Sequence, residues 1–156
     1  MTPASAALDR AGVEYSVHPY DHDPSTESYG VEAVEALGVE PDRVFKTLMA
    51  RLDGEELVVA IVAVRDRLNQ KRLARAAGAK RSAMADIADA ERSSGYVAGG
   101  ISPFGQRSPR RTFLDESALG NDTIFVSGGR RGLDIEVRPE DLVELLSATV
   151  AYLADL

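Results

Sequence analysis

Apolar residues recur along this chain at two different spacings, and each spacing predicts one kind of secondary structure. Spacings of three and four residues predict amphipathic helices over 2–12, 28–37, 69–77, 86–90 and 139–153. Alternating or continuous apolar residues predict strands over 13–17, 44–50, 57–64, 112–115, 123–127 and 133–137. Glycines follow the first three helices, where a left-handed residue can end a helix, and Pro3 and Pro139 open the first and last helices.

The strands at 44–50 and 57–64 form the predicted centre of the sheet. Asp53-Gly54 between them is the strongest hairpin signal in the chain. The second strand is a continuous apolar run from Leu57 to Val64, which is typical of a strand buried on both faces. Together with the short helices, this pattern predicts one α+β domain over residues 1–156. We expect a curved, mixed and largely antiparallel sheet that forms a partial barrel.

Lys46 lies in the middle of a strand that is apolar on both faces. Alternation puts Val44 and Leu48 on the face of Lys46, and Phe45 and Met49 on the other face. An ammonium group in such a place must reach water, find a partner or serve a cavity, because burying it alone is costly. A lysine on an edge strand with its head group in water explains the pattern equally well. The strand pattern leaves both interpretations open.

A second unusual stretch runs from Ser94 to Gly105 and contains four glycines and one proline. Glycine has no Cβ, so this backbone can present its N–H groups to a second molecule at contact distance. Local composition alone favours a plain glycine-rich connection between two strands. The alternative, a loop that lines a pocket with hydrogen-bond donors, gains weight only when it is considered together with Lys46.

Composition excludes several kinds of function. The chain has no cysteine, which removes disulfides, thiolate metal sites and a protein thiol nucleophile. No apolar stretch approaches the roughly 18 residues of a membrane span, and no signal sequence is recognisable, so we expect a cytoplasmic protein without membrane contact. The phosphate-binding loop, nucleophile elbow and dinucleotide-binding motifs are absent as well.

The chain is acidic, with 25 acidic and 18 basic residues and a formal net charge of -7. This charge repels polyanions at long range, so any contact with RNA must be local. Basic residues nevertheless cluster, as Lys71, Arg72, Arg75, Lys80 and Arg81, as Arg107, Arg110 and Arg111, and as Arg130 and Arg131. A solvated surface can explain each cluster and is the favoured explanation of the first.

His18 and His22, the only histidines, stand close to two aspartates and could be taken for metal ligands. We reject this interpretation because no cysteine can complete the site and because solvated polar loop residues are far more common than ligands. We therefore expect neither a metal nor a cofactor.

Five segments carry a joint signal that periodicity does not supply. They are Thr2-Pro3-Ala4, Tyr20 with His22-Asp23-Pro24, Val44-Phe45-Lys46-Thr47-Leu48, Gly95-Tyr96 with Gly99-Gly100-Ile101-Ser102-Pro103, and Val126 to Glu136. In this order and spacing, over nearly the whole chain, they resemble the YbaK family. That family comprises free-standing relatives of the editing domain inserted in bacterial prolyl-tRNA synthetase.

The resemblance implies a site built from the lysine, the Gly-x-x-x-Pro loop and nearby small or polar residues. The implied catalytic positions are Lys46, Gly99, Gly100, Ile101 and Ser102. The implied substrate-binding positions are Tyr20, Thr47, Pro103, Ser127, Gly128, Gly129 and Asp134. Asp134 would orient Lys46 or the substrate's amino group, or it would only hold a turn, and these alternatives stay open.

The family's namesake hydrolyses cysteinyl-tRNA(Pro), so the resemblance implies cleavage of the ester between a misloaded amino acid and the terminal adenosine of tRNA. A separate hydrolytic site is useful because a synthetase pocket separates amino acids of similar size by only about 1–3 kcal/mol. Backbone N–H groups of the glycine loop could bind the oxyanion. Lys46 would anchor a phosphate or the adenosine end, or add positive charge near the carbonyl. In the absence of a Ser-His pair, the resemblance implies attack by the substrate's own thiol.

Two other functions remain open at this point. One is a deacylase for alanyl-tRNA(Pro) or another small misloaded amino acid, and the other is a module that binds an aminoacyl-tRNA or nucleotide without hydrolysing it. The intact loop beside Lys46 disfavours the second. Because the net charge allows few phosphate contacts, we expect weak binding of the aminoacyl-tRNA 3′ end and a transient partnership with prolyl-tRNA synthetase. Whether the protein is a monomer or a weak dimer stays open.

Overall fold

The structure, a computed structural model, describes residues 1–155. The helices are α1 Pro3–Ala11, α2 Tyr29–Leu37, α3 Gln70–Ala77, α4 Ile87–Ser94 and α5 Pro139–Leu146, with short 3-10 helices at Pro41–Arg43 and Glu116–Gly120. The strands are β1 Tyr15–Pro19, β2 Phe45–Leu52, β3 Glu56–Ala63, β4 Arg67–Leu68, β5 Ser82–Met84, β6 Thr112–Asp115, β7 Ile124–Arg130, β8 Leu133–Val137, β9 Thr149–Ala151 and β10 Ala154–Asp155. The predicted α+β class is confirmed.

Three groups of strands make up the β structure of residues 1–155. The largest sheet has the order β5-β2-β3-β6-β9, the second has the order β1-β8-β7, and β10 pairs with β4. The large sheet is mixed, because β2 runs antiparallel to β3 and β5 whereas β6 runs parallel to β3 and β9. A single parallel bridge between Val44 and Phe125 joins the large sheet to the second one. The described strands do not close, and the predicted partial barrel is not confirmed.

β3 is the central buried strand, as its continuous apolar run predicts. Its residues from Leu57 to Ala63 are buried, and alternate side chains enter two different cores. Ile61 contributes to the core formed with α1, α5 and the second sheet, whereas Val62 contributes to the core under α3. Because both faces of β3 are buried, its neighbour β2 also lies in the interior of the protein.

Side-chain caps mark the starts of three helices. Thr2, Ser28 and Asn69 each accept a backbone N–H of the first helical turn with their side chains. The Thr2 hydroxyl also donates a hydrogen bond to the Gly128 carbonyl at 2.5 Å, which joins the start of α1 to β7. Asp86 occupies the cap position of α4, but its side chain makes no capping hydrogen bond.

The last helix is shorter than its apolar spacing predicts. The prediction over 139–153 is wrong beyond Leu146, because Ser147 adopts a left-handed conformation with φ 50° and ends α5. The next residues form β9, which pairs in parallel with β6. Leu153 is fully buried in the core under α3 rather than on a helix face. Pairing with an open strand edge outweighed the helical spacing here.

Among residues 1–155, no helix combines the length and the apolar character that crossing a bilayer requires.

Candidate functional site

A cavity of about 440 Å³ lies where β2, β7, β8, α2, α4 and the glycine loop meet. Its lining includes seven of the residues that the sequence singles out. They are Tyr20, Lys46, Thr47, Gly99, Ile101, Ser127 and Asp134. Its volume is within the range that small-molecule sites usually have, roughly 300–1,000 Å³.

The cavity exists because part of the β2 edge has no partner strand. Within residues 1–155, the one backbone bridge to β7 is made by Val44, directly before β2, and β2 pairs with β5 only from Ala50 onward. Val64 N–H donates to the Val44 carbonyl at 2.9 Å, so alternation turns the backbone groups of Thr47 away from β3 and toward the open edge. The cavity follows this edge, and therefore six consecutive residues from Val44 to Met49 line it. The Thr47 hydroxyl there is buried and has no hydrogen-bond partner within residues 1–155.

Lys46 is half-buried on this edge and lines the cavity. Its burial lowers the pKa of the ammonium group below the ordinary value of 10.5. Within residues 1–155, no carboxylate lies within ion-pair distance of it and no acceptor receives its protons. Of the two interpretations that the sequence left open, the edge strand is wrong, because β2 lies between β5 and β3 in the sheet, and Lys46 instead lines the cavity.

Asp134 presents an isolated carboxyl group to the same cavity. It lies on β8 opposite His18 of β1 and Ser127 of β7, and it is only 5% exposed. Burial raises its pKa from the ordinary 3.8 to about 7. No donor among residues 1–155 bonds to this carboxyl, in contrast to Asp115, which is 2% exposed and accepts hydrogen bonds from Leu153 N–H and Ala154 N–H. The Asp115 carboxylate therefore binds backbone N–H groups, whereas the Asp134 carboxyl binds none.

Tyr20 places a hydroxyl group near Asp134. Its backbone N–H donates to the Gly132 carbonyl at 2.9 Å, which attaches the chain after β1 to the turn between β7 and β8. Burial and the nearby carboxyls of Asp134 and Glu32 raise the pKa of the Tyr20 phenol to about 12. The hydroxyl is therefore protonated at neutral pH and can donate a hydrogen bond into the cavity.

The glycine loop connects α4 to β6 and borders the cavity with Ala98, Gly99 and Ile101. Gly99 has φ +83°, and a Cβ at this position would lie 2.8 Å from the Tyr29 ring. The N–H groups of Gly99 and Ile101 have no acceptor within residues 1–155, whereas Gly100 N–H donates to the Val97 carbonyl at 2.9 Å. The loop thus offers two free backbone donors at the cavity wall.

Two charged side chains hold the Ala98 residue of this loop. Glu91 of α4 accepts Ala98 N–H at 2.8 Å, and Arg131 Nε donates to the Ala98 carbonyl at 2.8 Å. The Arg131 guanidinium carbon also lies 4.9 Å from the centroid of the Tyr29 ring, which forms the cavity wall on the α2 side. These contacts fix the position of the loop between α4, α2 and the β7–β8 turn.

The structure places five predicted site residues outside the cavity lining. They are Gly100, Ser102, Pro103, Gly128 and Gly129. Ser102 is fully buried, and its hydroxyl accepts Phe104 N–H. A Cβ on Gly100 would lie 2.8 Å from Arg130 Cα, so this glycine permits the loop to pack against the β7–β8 turn. These five residues lie behind the residues that line the cavity.

Sequence reasoning missed several apolar residues that complete the wall. Tyr29, Ala33, Val64, Met84, Ile87 and Ala90 belong to this group. The sequence pattern placed them only within predicted helices or strands, except Met84, which lies in β5, a strand that was not predicted. Met84 and Ile87 are 51% and 67% exposed, which places them at the mouth of the cavity. Exposed apolar side chains next to a cavity are a signal that only a three-dimensional structure provides.

Each histidine is hydrogen-bonded to a glutamate outside the cavity lining. His18 Nε2 lies 2.9 Å from Glu136 Oε1, and His22 Nδ1 lies 2.8 Å from Glu32 Oε1. The second pair attaches the loop after β1 to α2.

Comparison with known sequences finds a family and a related protein. Residues 23–145 match the family described as the aminoacyl-tRNA editing domain. A protein of Enterococcus faecalis, EbsC, provisionally named as a Cys-tRNA(Pro)/Cys-tRNA(Cys) deacylase, is 37% identical over 151 residues. The match covers 96% of this chain and 91% of that protein.

Comparison with solved structures finds the same fold. A crystal structure of a provisionally assigned trans-editing enzyme for prolyl-tRNA synthetase superimposes with a TM-score of 0.83 and 25% identity, covering 99% of this chain and 96% of the other. The hypothetical protein APE2540 superimposes with a TM-score of 0.88 at 22% identity, covering 98% of this chain and 99% of the other. At that identity, the second match shows the fold alone.

Proposed function

From the premise that this chain belongs to the aminoacyl-tRNA editing family and is an aminoacyl-tRNA deacylase, we propose that it removes misloaded cysteine from tRNA(Pro) in trans. The observation that carries the proposal is the isolated Asp134 carboxyl in the same cavity as the isolated Lys46 ammonium. An aminoacyl ester supplies what this cavity lacks: an α-ammonium group, a carbonyl that gains negative charge during cleavage, and a nucleoside.

Asp134 and Tyr20 bind the α-ammonium group in this proposal. The carboxyl of Asp134 is paired with neither Lys46 nor a backbone turn, so a cation from the substrate would be its first partner. A bound ammonium group favours the ionised carboxylate and so lowers the raised pKa of Asp134 in the complex. The Tyr20 phenol donates to the same carboxylate or to the ester.

Backbone N–H groups stabilise the oxyanion that forms when the ester carbonyl is attacked. The candidates are Gly99, Ile101 and Thr47, whose N–H groups border the cavity on the loop and on the open edge of β2. Such preorganised donors typically contribute about 10²–10³ in rate each. Lys46 adds positive charge near this carbonyl or anchors the phosphate or adenosine end of the substrate, and its low degree of solvation strengthens either interaction.

The nucleophile in this proposal is the thiol of the misloaded cysteine. The sulfur attacks the carbonyl carbon of its own ester, a C–S bond forms, and the C–O bond to the ribose breaks. The ribose oxygen takes up the proton that the thiol loses, and water then hydrolyses the cyclic thioester. The cavity is lined by neither histidine, and the hydroxyl of Ser102 is turned toward Phe104 N–H, so no serine-histidine pair faces the ester.

The test is a comparison of cysteinyl-tRNA(Pro), alanyl-tRNA(Pro) and seryl-tRNA(Pro) as substrates, with loss of each ester as the readout. We expect rapid loss of the cysteinyl ester and slow loss of the seryl ester, because a hydroxyl replaces the thiol in an otherwise similar side chain. Faster loss of the alanyl ester would overturn the thiol mechanism and assign the protein to the removal of alanine, with water as the nucleophile.

We also propose that prolyl-tRNA synthetase presents the substrate through transient docking. A net charge of -7 limits the affinity of the isolated protein for any tRNA. The isolated protein should therefore deacylate cysteine from several tRNAs at similar rates, and added synthetase should favour tRNA(Pro). Tight and selective binding of tRNA(Pro) by the isolated protein at physiological salt would contradict this partnership.

A further inference from the structure

Three arginines follow one short backbone segment that leads away from the cavity. Arg131 Nε donates to the Ala98 carbonyl at 2.8 Å, and Arg110 Nε donates to the Ser93 hydroxyl at 2.9 Å. Between them, Arg107 packs against Gly95, where a Cβ would lie 3.4 Å from Arg107 Cβ and 3.6 Å from Arg107 Nε. We call Arg107, Arg110 and Arg131 the arginine track.

The arginine track is an exposed positive surface without direct ion pairs on an acidic protein. All three side chains are exposed, and within residues 1–155 none of them lies within 4 Å of a carboxylate oxygen. Arg111, next to Arg110 in sequence, is different because it pairs with Glu56 at 2.9 Å. The structure thus separates one cluster of the sequence into a paired arginine and unpaired ones.

We propose that the arginine track binds the sugar-phosphate backbone of the acylated RNA strand next to its terminal nucleotide. The track begins at the cavity, because Ala98 and Tyr29, the two residues that Arg131 contacts, both line it. From Ala98 to Ser93 the segment measures at most about 17 Å, which is the length of a few nucleotides. Arginine binds phosphate oxygens through two parallel N–H groups, and in each of these side chains the contact described leaves terminal N–H groups free.

This inference rests on the proposed function for the identity of the ligand, and it explains how an acidic protein holds RNA. Three phosphate contacts are few, so the affinity stays low and independent of sequence, in agreement with substrate delivery by a synthetase. The track would position the strand so that the ester on its terminal nucleotide reaches the cavity.

The experiment measures binding of an uncharged hairpin RNA with a single-stranded CCA 3′ end, which does not depend on hydrolysis. For the wild-type protein, three contacts predict that log Kd changes with log salt concentration with a slope of about 2. The double variant R107A/R110A should bind at least about fivefold more weakly at low salt, with a slope of about 0.7. The charge-retaining variant R107K/R110K should keep most of the slope, which separates charge from a folding defect.

The matched control removes two other exposed cations, Lys71 and Arg75 of α3, which form no ion pair within residues 1–155. We expect K71A/R75A to bind the hairpin RNA like the wild type. An equal or larger loss in this control would place the RNA on the α3 side and overturn the proposal. An unchanged affinity and slope in R107A/R110A would also overturn the proposal. The arginine track would then be a candidate binding surface for an acidic protein partner. Failure of the wild type to hydrolyse any aminoacyl-tRNA, with RNA binding as described, would instead contradict the proposed function.

Discussion

Lys46 and Asp134, whose ionised forms have opposite charges, face the same cavity and form no ion pair with each other or with any other side chain of residues 1–155. One strand, β7, lies between them, since Lys46 lies on the unpaired stretch of β2 and Asp134 lies on β8. Buried charges are normally paired, because desolvation of an unpaired charge is costly. In the proposed function, both groups stay available for a ligand that carries complementary charges.

Replacement of Lys46 should abolish deacylation and leave the fold intact. Because the ammonium group has no partner and its burial is unfavourable, Lys46→Met should change the melting temperature by only a few degrees. The loss of its positive charge should lower the rate at least about 100-fold. Single-turnover deacylation and circular dichroism melting measure the two effects. Full activity of a folded Lys46→Met protein would eliminate this residue from the mechanism.

Asp134 should make the protein less stable as the pH rises. Its pKa is raised from 3.8 to about 7 in the folded state, so the folded protein holds a proton that the unfolded chain releases between about pH 4 and pH 7. The free energy of unfolding therefore falls as the pH rises through this range. Asp134→Asn removes this dependence and should be more stable than the wild type at pH 8 by roughly 2–4 kcal/mol. Urea unfolding of both proteins at pH 5 and pH 8 provides the measurement. The same change in the free energy of unfolding between the two pH values in both proteins would contradict the prediction.

Asp115 provides the opposite case of a buried aspartate. Its carboxylate accepts two backbone N–H groups at the entrance to β10 and bonds to Ser117 as well. Asp115→Asn should therefore lower the stability by roughly 1–3 kcal/mol, because at least one backbone donor loses a charged acceptor. In the same urea experiment at pH 8, Asp115→Asn and Asp134→Asn should shift the midpoint in opposite directions. Shifts of the same sign would show that Asp134 is a structural residue too.

Gly100 should matter for stability and for the rate together. A Cβ there would lie 2.8 Å from Arg130 Cα, and backbone cannot move aside as a flexible side chain can. Gly100→Ala should thus lower the melting temperature and the rate together, since the loop that carries Gly99 and Ile101 would be displaced. Gly120→Ala is the control, because a Cβ at Gly120 meets no atom within 4 Å. A Gly100→Ala protein of normal stability with a reduced rate would show that Gly100 approaches the substrate instead.

Glu91 should act as a positioning residue for the glycine loop. Its carboxylate accepts Ala98 N–H at 2.8 Å and touches neither the cavity nor a basic side chain within ion-pair distance. Glu91→Ala should lower kcat about tenfold with little change in KM, because the loop donors lose their alignment with the oxyanion. Glu91→Gln retains an acceptor oxygen and should recover most of kcat. A purely structural role would instead lower the melting temperature of both variants and leave kcat per folded molecule unchanged.

Local sequence determined most elements of this fold because their signals act within a few residues. Thr2 and Gly12 mark the two ends of α1, and Asp53-Gly54 forms the turn that joins β2 to β3. The apolar run from Leu57 to Val64 is typical of a strand with two buried faces. The end of α5 was not determined in this way. The apolar spacing of α5 continues to Leu153. Residues Thr149 to Ala151 instead form β9, because the free edge of β6 provides a partner strand for them.

The candidate site shows the same division between local and long-range causes. Motif resemblance brought together Lys46, Tyr20 and Asp134, and the structure places all three at one cavity. Only tertiary packing decided that Ser102 turns away from this cavity, that Tyr29 walls it, and that the Thr47 backbone faces it. The exposure of the Thr47 backbone depends on the stretch of β2 that pairs with neither β7 nor β5, which is a property of two sheets meeting and is encoded by no single segment.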